Sequence, residues 1–354
     1  MNSNSTALRH DIVVFGATSF VGQILCRYLL QRHGVGQGLR WAIAARSASK
    51  LDELKRSLGS AAVALESIVV DAADEAGLRQ LCHDTRVVIS TVGPYALYGE
   101  TLVKVCADTG TDYCDLTGEV QWIRRMIERY SAAAAASGAR IVHCCGFDSI
   151  PSDLGVWFLQ REARKSFGKS CSRVKLRVKA MRGGFSGGTV ASLLNVVKET
   201  RANPALRKEL ANPYSLCVGS AVKGVRQPSG ATVALDADFR SWIAPFVMSG
   251  INTRIVHRSN FLQSHSYGSD FVYDEAVLTG RGWRGRLKGR REGCAAARHR
   301  GAADGPAGRG LCGPALGGDG RPVPLQCSLA KASGAGGCAK QVAVTPPGYG
   351  LGDL

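Results

Sequence analysis

The first 150 or so residues of this chain predict an α/β fold, a doubly wound parallel sheet with helices on both faces. Three observations support this prediction. Short apolar segments alternate with segments of helical periodicity, the loops between them are short, and a glycine-containing turn joins the first strand to the first helix. Strands that are buried on both faces and joined by crossover helices produce this alternation.

The apolar runs predict six strands, over residues 11–15, 41–45, 67–71, 86–91, 112–116 and 140–145. Helical spacing of apolar residues predicts helices over residues 20–30, 48–58, 74–81, 98–109 and 120–137. Asp74 is a favourable N-cap, and Gly110 is a favourable residue just past a helix end.

The turn after the first strand carries the pattern Gly16-x-x-Ser19-x-x-Gly22. A strand, a glycine turn and a helix N-terminus together form the pyrophosphate site of Rossmann domains. Serine stands at the middle position of the motif, so the motif is weak by itself and depends on its context. The residues expected to contact a dinucleotide here are Gly16, Ala17, Thr18, Ser19, Phe20 and Val21.

The second predicted strand is followed directly by Arg46, with Ser47 and Lys50 next along the chain. In a Rossmann domain an acidic residue at this place binds the 2′-hydroxyl of NAD, whereas an arginine accommodates the 2′-phosphate of NADP. These three residues therefore predict NADP(H). The alternative is a solvated helix start, in which Ser47 acts as the N-cap.

Two further loops at strand ends are candidate cofactor contacts. Asp71 closes the third strand, where it would accept a hydrogen bond from the adenine amino group or serve as a turn residue. Thr91, Val92, Gly93 and Pro94 follow the fourth strand. Such a turn permits close approach of the backbone to a ligand, and it is equally ordinary loop punctuation.

Residues 154–280 predict a second, α+β domain. Residues 172–180 alternate with period two and predict a strand with one wet face, and residues 182–189 predict a glycine-rich turn into a helix. Further strands are predicted at 251–257 and 270–278. We expect this domain to cover the cofactor cleft of the Rossmann domain, residues 1–153, and to shape the substrate site.

Residues 281–354 form a tail rich in Gly, Arg and Ala without sustained periodicity. A segment that cannot bury enough apolar area stays disordered, so disorder is the prediction. The composition also suits a GC-rich gene translated in a shifted frame.

The net charge of +17 raises nucleic acid as a partner, but its distribution argues against this. The tail holds 12 Lys and Arg against 4 Asp and Glu, a net +8, and the remaining excess is spread thinly without interleaved aromatic residues.

Nothing approaches the ~18 apolar residues of a membrane helix, and the polar N-terminus is unlike a secretory signal. The 12 cysteines include no CxxC pair, which predicts reduced thiols in a cytoplasmic protein and no metal site.

The chain resembles the saccharopine dehydrogenase-like oxidoreductases, and most closely the mycobacterial trans-acting enoyl reductase group. The matching stretches are GATSFVG (16–22), AARSASKL (44–51), VVISTVGPYALYGETLV (87–103), GTDYCDLTGE (110–119), GARIVHCCGFDSIPSDLG (138–155), SGGTVAS (186–192) and NTRIVHRSN (252–260). The family mostly has glycine where Ser19 stands, and the resemblance ends near residue 280.

The resemblance implies a Rossmann domain with an inserted α+β domain and NADPH-dependent reduction of a carbon–carbon double bond. The implied substrate is a polyketide-derived lipid precursor of phthiocerol dimycocerosates and phenolic glycolipids. A polyketide synthase partner and a peripheral membrane contact are left open, as is the oligomeric state. The rival hypotheses are C=N reduction, as in saccharopine reductase, and a non-catalytic NADP-binding or truncated remnant.

Reduction of such a bond needs a proton donor and stabilisation of the developing enolate. Tyr95, Asp148 and Ser149 are the catalytic candidates, because they follow predicted strands four and six at one edge of the sheet. The alternative for Tyr95 is a packing aromatic. His143 is interpreted as a satisfied core histidine. Asp115, Thr117 and Glu119 are expected to fix the cleft loops.

Overall fold

The computed structural model describes residues 8–36, 38–180, 187–219, 224–228, 230, 232–301, 327–330 and 342–344. The chain divides into two compact units. The first unit comprises Met1–Gly146 and Phe185–Arg207, and the second comprises Phe147–Gly184 and Lys208–Leu354.

The sheet of the first unit has the predicted doubly wound architecture. Its strands are β1 (His10–Phe15), β2 (Trp41–Ala45), β3 (Glu66–Val69), β4 (Thr85–Ser90), β5 (Asp112–Asp115) and β6 (Ile141–Val142). All neighbours pair in parallel, in the order β3-β2-β1-β4-β5-β6. The predicted Rossmann-like fold class is therefore confirmed, and ligands are expected at the carboxyl ends of β1 and β4, where the strand order reverses.

The helices of the first unit are α1 (Phe20–His33), α2 (Ala48–Leu58), α3 (Glu75–His83), α4 (Tyr95–Tyr98), α5 (Glu100–Thr109), α6 (Val120–Ser137) and α8 (Gly187–Ala202). The prediction assigned the segment of α8 to the second domain. It belongs to the first unit, where Ser192 Oγ donates to Glu119 Oε1 at 2.8 Å and Glu199 pairs with Arg125. Residues 182–186 of the predicted glycine-rich turn lie outside the described residues.

The core of the first unit is built on the two central strands. Every residue of β2 is buried, as are Val13, Val14 and Phe15 of β1, which the continuous apolar runs predicted. The sixth strand is shorter than predicted. Cys144 has a φ of +61°, outside strand geometry, and its N–H donates to the side chain of Asp115 rather than to a neighbouring strand.

The second unit contains a mixed sheet. Its strands are β7 (Arg173–Val178), β8 (Ala234–Asp236), β9 (Ser241–Pro245), β10 (Val272–Gly280), β11 (Cys327–Ala330) and β12 (Val342–Val344), in the order β12-β11-β7-β10-β9-β8. β7 and β10 are parallel, and the other pairs are antiparallel. Its helices are α7 (Ile150–Phe167), α10 (Ser249–Leu262) and α11 (Gly282–Gly301), while α9 (Ala205–Ala211) runs from one unit into the other.

The strand predicted at 251–257 is wrong, because this segment is part of α10. Asn252, Val256 and Asn260 repeat every fourth residue and are buried on one helix face. The Asn252 amide donates to the Asp148 carbonyl at 2.9 Å and to Glu275 Oε2 at 3.1 Å. Buried polar residues concealed the helical period in the sequence.

The tail also departs from the prediction at its beginning, where α11 packs against β9 and β10. In the first turns of α11, Gly285 and Gly289 are buried, and the residues around them are exposed. Gly293 continues this four-residue spacing. A Cβ on Gly289 would lie 2.9 Å from Val233 Cγ1 and 3.1 Å from Thr279 Oγ1, so the glycines permit close contact. Beyond Gly301 only β11 and β12 are described, and the rest of the predicted tail lies outside the described residues.

Within the described ranges, no helix combines the length and the apolar character needed to cross a bilayer.

Candidate functional site

A cavity of about 520 Å³ opens in the first unit at the carboxyl ends of its strands. Eight residues that the sequence proposed as cofactor contacts line it: Gly16, Thr18, Ser19, Arg46, Asp71, Thr91, Val92 and Gly93. The other six, which are not among the lining residues, are Ala17, Phe20, Val21, Ser47, Lys50 and Pro94. The sequence reasoning missed Leu97, Tyr98, Glu100 and Thr101, whose helical spacing behind the Gly-Pro turn is the signal that would have found them.

The two glycines of the turn are required by close contacts. Gly16 has a φ of +83°, and a Cβ there would lie 2.5 Å from Val92 Cγ2. A Cβ on Gly22 would lie 2.4 Å from the Gly16 carbonyl oxygen. Gly16 therefore makes the turn, and Gly22 brings α1 against it.

Ser19 has a structural role in this turn. It is the N-cap of α1, where its Oγ accepts from the Gly22 N–H at 2.9 Å and donates to Thr91 Oγ1 at 2.9 Å. Thr91 in turn donates to the Gly16 carbonyl at 2.8 Å. The hydroxyls thus join the turn after β1 to the end of β4. The N–H groups of Phe20 and Val21, at the first positions of α1, have no intrahelical acceptor and are suited to an anion.

Arg46 follows β2 and is exposed at the rim of the cavity. Among the described residues, no carboxylate forms an ion pair with its guanidinium. Ser47 caps α2 by accepting from the Lys50 N–H at 3.4 Å, so these two residues match the alternative of an ordinary helix start. Arg46 is the cation of this segment that lines the cavity.

Asp71 combines the two interpretations that the sequence left open. Its Oδ1 accepts from the Ala73 N–H at 2.9 Å, which makes it a turn residue. It is also exposed and lines the cavity, where its second oxygen can still accept a hydrogen bond.

Tyr95 lies behind the loop of Thr91 to Pro94, and it is buried. Its hydroxyl donates to the Ser90 carbonyl at 3.0 Å and accepts from the Leu116 N–H at 3.4 Å, while its ring lies 5.5 Å from that of Trp122. Burial, reinforced by the nearby charge of Asp115, raises the pKa of the phenol far above its ordinary value. This geometry favours the packing alternative for Tyr95 over proton donation.

Glu119 fixes the start of the helix that carries Leu97 and Tyr98. Its buried carboxylate accepts from the N–H groups of Tyr95 at 2.8 Å and Ala96 at 3.0 Å, and from Ser192 Oγ. A carboxylate at a helix N-terminus satisfies donors that have no partner inside the helix. The expectation that Glu119 holds a cleft loop agrees with these contacts.

Asp115, at the end of β5, holds a second group of residues. Its Oδ2 lies 2.7 Å from Nδ1 of His143 and accepts from the Tyr113 hydroxyl at 3.0 Å. Its Oδ1 accepts from the N–H groups of Thr117 and Cys144, both at 3.0 Å. His143 is thus hydrogen-bonded, as expected of a core histidine, but only its Nδ1 has a hydrogen-bond partner among the described residues.

Asp148 and Ser149 belong to the second unit. Asp148 is exposed, and Ser149 is buried at the N-cap position of α7 without a side-chain capping bond. Asp153, in the first turn of α7, accepts from Ser259 Oγ at 2.9 Å, and burial raises its pKa to about 6. Catalysis by Asp148 or Ser149 stays a prediction.

Comparison with known proteins agrees with this geometry. The family model for the saccharopine dehydrogenase NADP binding domain matches residues 12–142, so this domain is an NADP-binding one. A protein of Mycobacterium tuberculosis provisionally named a trans-acting enoyl reductase is 39% identical over 285 residues, covering 78% of this chain and 67% of its own. Trans-acting enoyl reductases of M. tuberculosis and M. leprae are each 37% identical, covering 77% of this chain and 66% of their own. The chain thus spans about two thirds of the length of these relatives.

Proposed function

We propose that this chain uses NADPH to reduce a carbon–carbon double bond. The proposal follows from its family, because the chain belongs to the saccharopine dehydrogenase-like oxidoreductases, in the group of the trans-acting enoyl reductases. The proposed substrate is a polyketide-derived lipid precursor of the phthiocerol dimycocerosate and phenolic glycolipid type. The relatives are described as trans-acting, and on this ground we propose a separate polyketide synthase as the partner that presents the substrate.

The observation that carries the proposal is the lining of the cavity in the first unit. In this lining, the turn of Gly16, Thr18 and Ser19, which leads into the N-terminus of α1, fits a pyrophosphate, and Arg46 at the end of β2 fits a 2′-phosphate. These residues fit NADP(H) better than NAD(H), because NAD(H) has a 2′-hydroxyl and no 2′-phosphate for Arg46 to bind. When bound, the dinucleotide supplies the hydride for the reduction.

The lining beyond Gly93 supports an apolar substrate. Leu97 is 58% exposed and Tyr98 is 49% exposed, and both line the cavity next to the loop that follows β4. Exposed large apolar side chains at a cavity mark a surface that binds apolar groups. Glu119 holds the helix that carries them, so this wall is preorganised.

Cofactor binding is the first test of the proposal. In a fluorescence titration the intact chain should bind NADPH at least tenfold more tightly than NADH. Arg46→Asp should weaken NADPH binding by about 10- to 100-fold, because a close charge-assisted contact contributes roughly 1.5–3 kcal/mol, and should leave NADH binding nearly unchanged.

Arg27→Asp is the matched control, since Arg27 is exposed on α1 and does not line the cavity. It makes the same charge change and should leave the preference between the two cofactors intact. Equal binding of NADPH and NADH by the unaltered chain would overturn the role of Arg46. Turnover is then measured as NADPH oxidation with an α,β-unsaturated lipid thioester or ketone, and a chain that binds NADPH but never oxidises it would favour a non-catalytic role.

A further inference from the structure

In the described part of the first unit, two histidines with buried side chains pair with a carboxylate, and the two pairs lie at opposite ends of the strands of its sheet. His10 begins β1, and its Nε2 lies 3.1 Å from Oε2 of Glu66, which begins β3. His143 follows β6, and its Nδ1 lies 2.7 Å from Oδ2 of Asp115, which ends β5. Ligands of doubly wound sheets bind at the carboxyl ends of the strands. The His143 pair is therefore at the ligand edge, and the His10 pair is at the opposite edge.

The two histidines differ in what their second ring nitrogen can do. The Nδ1 atom of His10 is buried without a hydrogen-bond partner. The His143 side chain is 7% exposed. No described residue forms a hydrogen bond with its Nε2. Unlike Nδ1 of His10, this nitrogen is not one of the fully buried atoms that lack a partner. A carboxylate on Nδ1 sets the proton on that nitrogen and leaves Nε2 to exchange a proton. His143 has the arrangement of a general acid or base.

The pair is held rigidly. Asp115 keeps its place through the N–H groups of Thr117 and Cys144 and the Tyr113 hydroxyl. The imidazole of His143 makes edge contacts with the ring of Tyr113 at 5.9 Å and with that of Trp122 at 5.0 Å. The described titratable groups around the imidazole are therefore Asp115 and Tyr113 from β5, with the Cys144 thiol adjacent in the chain.

A continuous set of contacts joins this pair to the cofactor cavity. Trp122 contacts His143 on one side and Tyr95 on the other, at 5.0 and 5.5 Å between ring centroids. Tyr95 lies next to Gly93, where a Cβ would be 3.6 Å from its ring, and Gly93 lines the cavity. The buried Nε1 of Trp122 has no hydrogen-bond partner in the described chain.

We propose that His143, oriented by Asp115, is the proton donor of the reduction; this inference rests on the proposed function. Protonated His143 carries hydrogens on both nitrogens, with Nδ1–H bonded to Asp115. As hydride adds to the β-carbon, the π electrons of the C=C bond pass to the α-carbon and its carbonyl as an enolate. The α-carbon then takes the proton from Nε2, a C–H bond forms as the N–H bond breaks, and neutral His143 regains a proton from solvent. Asp115 is a positioning residue that holds the imidazole through Nδ1.

The first experiment does not depend on turnover. The intact chain is treated with diethyl pyrocarbonate, which acylates accessible neutral imidazole, and each histidine is followed by mass spectrometry. His143 should be modified in the free protein, and saturating NADPH should slow its modification at least fivefold. His10 should react slowly with no effect of NADPH. A modification rate of His143 that NADPH does not change would overturn the proposal.

The second experiment compares His143→Asn with the matched control His10→Gln. Asparagine places an amide nitrogen near the Nδ1 position, so the bond to Asp115 is kept while the proton donor is lost. Glutamine likewise keeps the bond of His10 to Glu66. Turnover of an α,β-unsaturated thioester is measured from pH 5.5 to 9, with NADPH affinity measured beside it.

His143→Asn should lose about 100-fold or more in turnover and lose the alkaline limb of the pH profile, with NADPH affinity within threefold. Asp115→Asn should shift that limb to lower pH, whereas the replacement of a merely structural residue would leave the limb in place. His10→Gln should keep the turnover and the profile. Unchanged turnover of His143→Asn would overturn the role of His143 while the proposed function stands. An unaltered chain that binds NADPH and reduces no enone would overturn the proposed function, and the proton donor with it.

Discussion

At the scale of single residues, Ser19 shows how the turn tolerates a side chain at the middle position of its glycine motif. Its Oγ accepts from the Gly22 N–H, and its hydrogen is donated to Thr91 Oγ1. Both functions of the hydroxyl are therefore used within the protein. Because the side chain is turned toward the helix start and β4, the N–H groups of Phe20 and Val21 are the donors left for a phosphate.

Ser19→Ala should lower the free energy of unfolding by about 1 kcal/mol, because it removes the N-cap of α1 and the bond to Thr91. Ser19→Gly should cost less, since glycine is itself an acceptable N-cap. Both variants should keep NADPH affinity within about threefold, as measured by urea unfolding and fluorescence titration. A tenfold loss of affinity at unchanged stability would show instead that the hydroxyl contacts the cofactor.

At the scale of elements, the sequence predicted β2 to the residue, because a run of five buried apolar residues ends at a charged one. It misassigned α10, because Asn252 and Asn260 are polar residues buried by hydrogen bonds that only the folded chain provides. The glycine turn and Arg46 were identifiable because those motifs are local. The bond between Asp115 and His143 joins residues 28 positions apart, and no local pattern announces it.

The sequence analysis predicted a disordered tail from residue 281, whereas the structure has the helix α11 at its beginning. The packing of this helix can be tested. Gly289→Leu should lower the free energy of unfolding by about 1–3 kcal/mol, because the side chain would collide with Val233 and Thr279, and this exceeds the gain in helix propensity. Arg290→Leu is the control, since Arg290 is exposed on the same helix and its replacement should stay within about 0.5 kcal/mol. Equal stability of both variants in urea unfolding of the intact chain would contradict the contact of α11 with the sheet.

At the scale of the whole molecule, two buried groups of the second unit oppose each other as pH changes. Burial raises the pKa of Asp153 to about 6, whereas burial and the charge of Arg254 lower the pKa of His257 to about 4. The folded chain holds the proton of Asp153 more tightly than the unfolded chain, so this group loses its stabilising effect as pH rises from 4 to 6. His257 has the opposite effect on the free energy of unfolding. Its imidazole binds a proton less tightly in the folded chain than in the unfolded chain, so its contribution to stability grows between pH 4 and 6.5.

Asp153→Asn should therefore remove the opposing contribution of Asp153, and its difference from the unaltered chain measures that contribution, because His257 is present in both. Because the amide does not titrate, the difference in unfolding free energy between the variant and the unaltered chain should rise in favour of the variant as pH goes from 4 to 6. The rise should be about 1–3 kcal/mol and should level off above pH 7. Glu275, whose pKa is also raised by burial, remains in both proteins and cancels in the difference. Asp52→Asn, at an exposed position of α2, should stay within about 0.5 kcal/mol throughout. Urea unfolding at half-unit steps of pH measures both differences, and a flat line for Asp153→Asn would mean that this carboxyl ionises in the folded chain as readily as in the unfolded one.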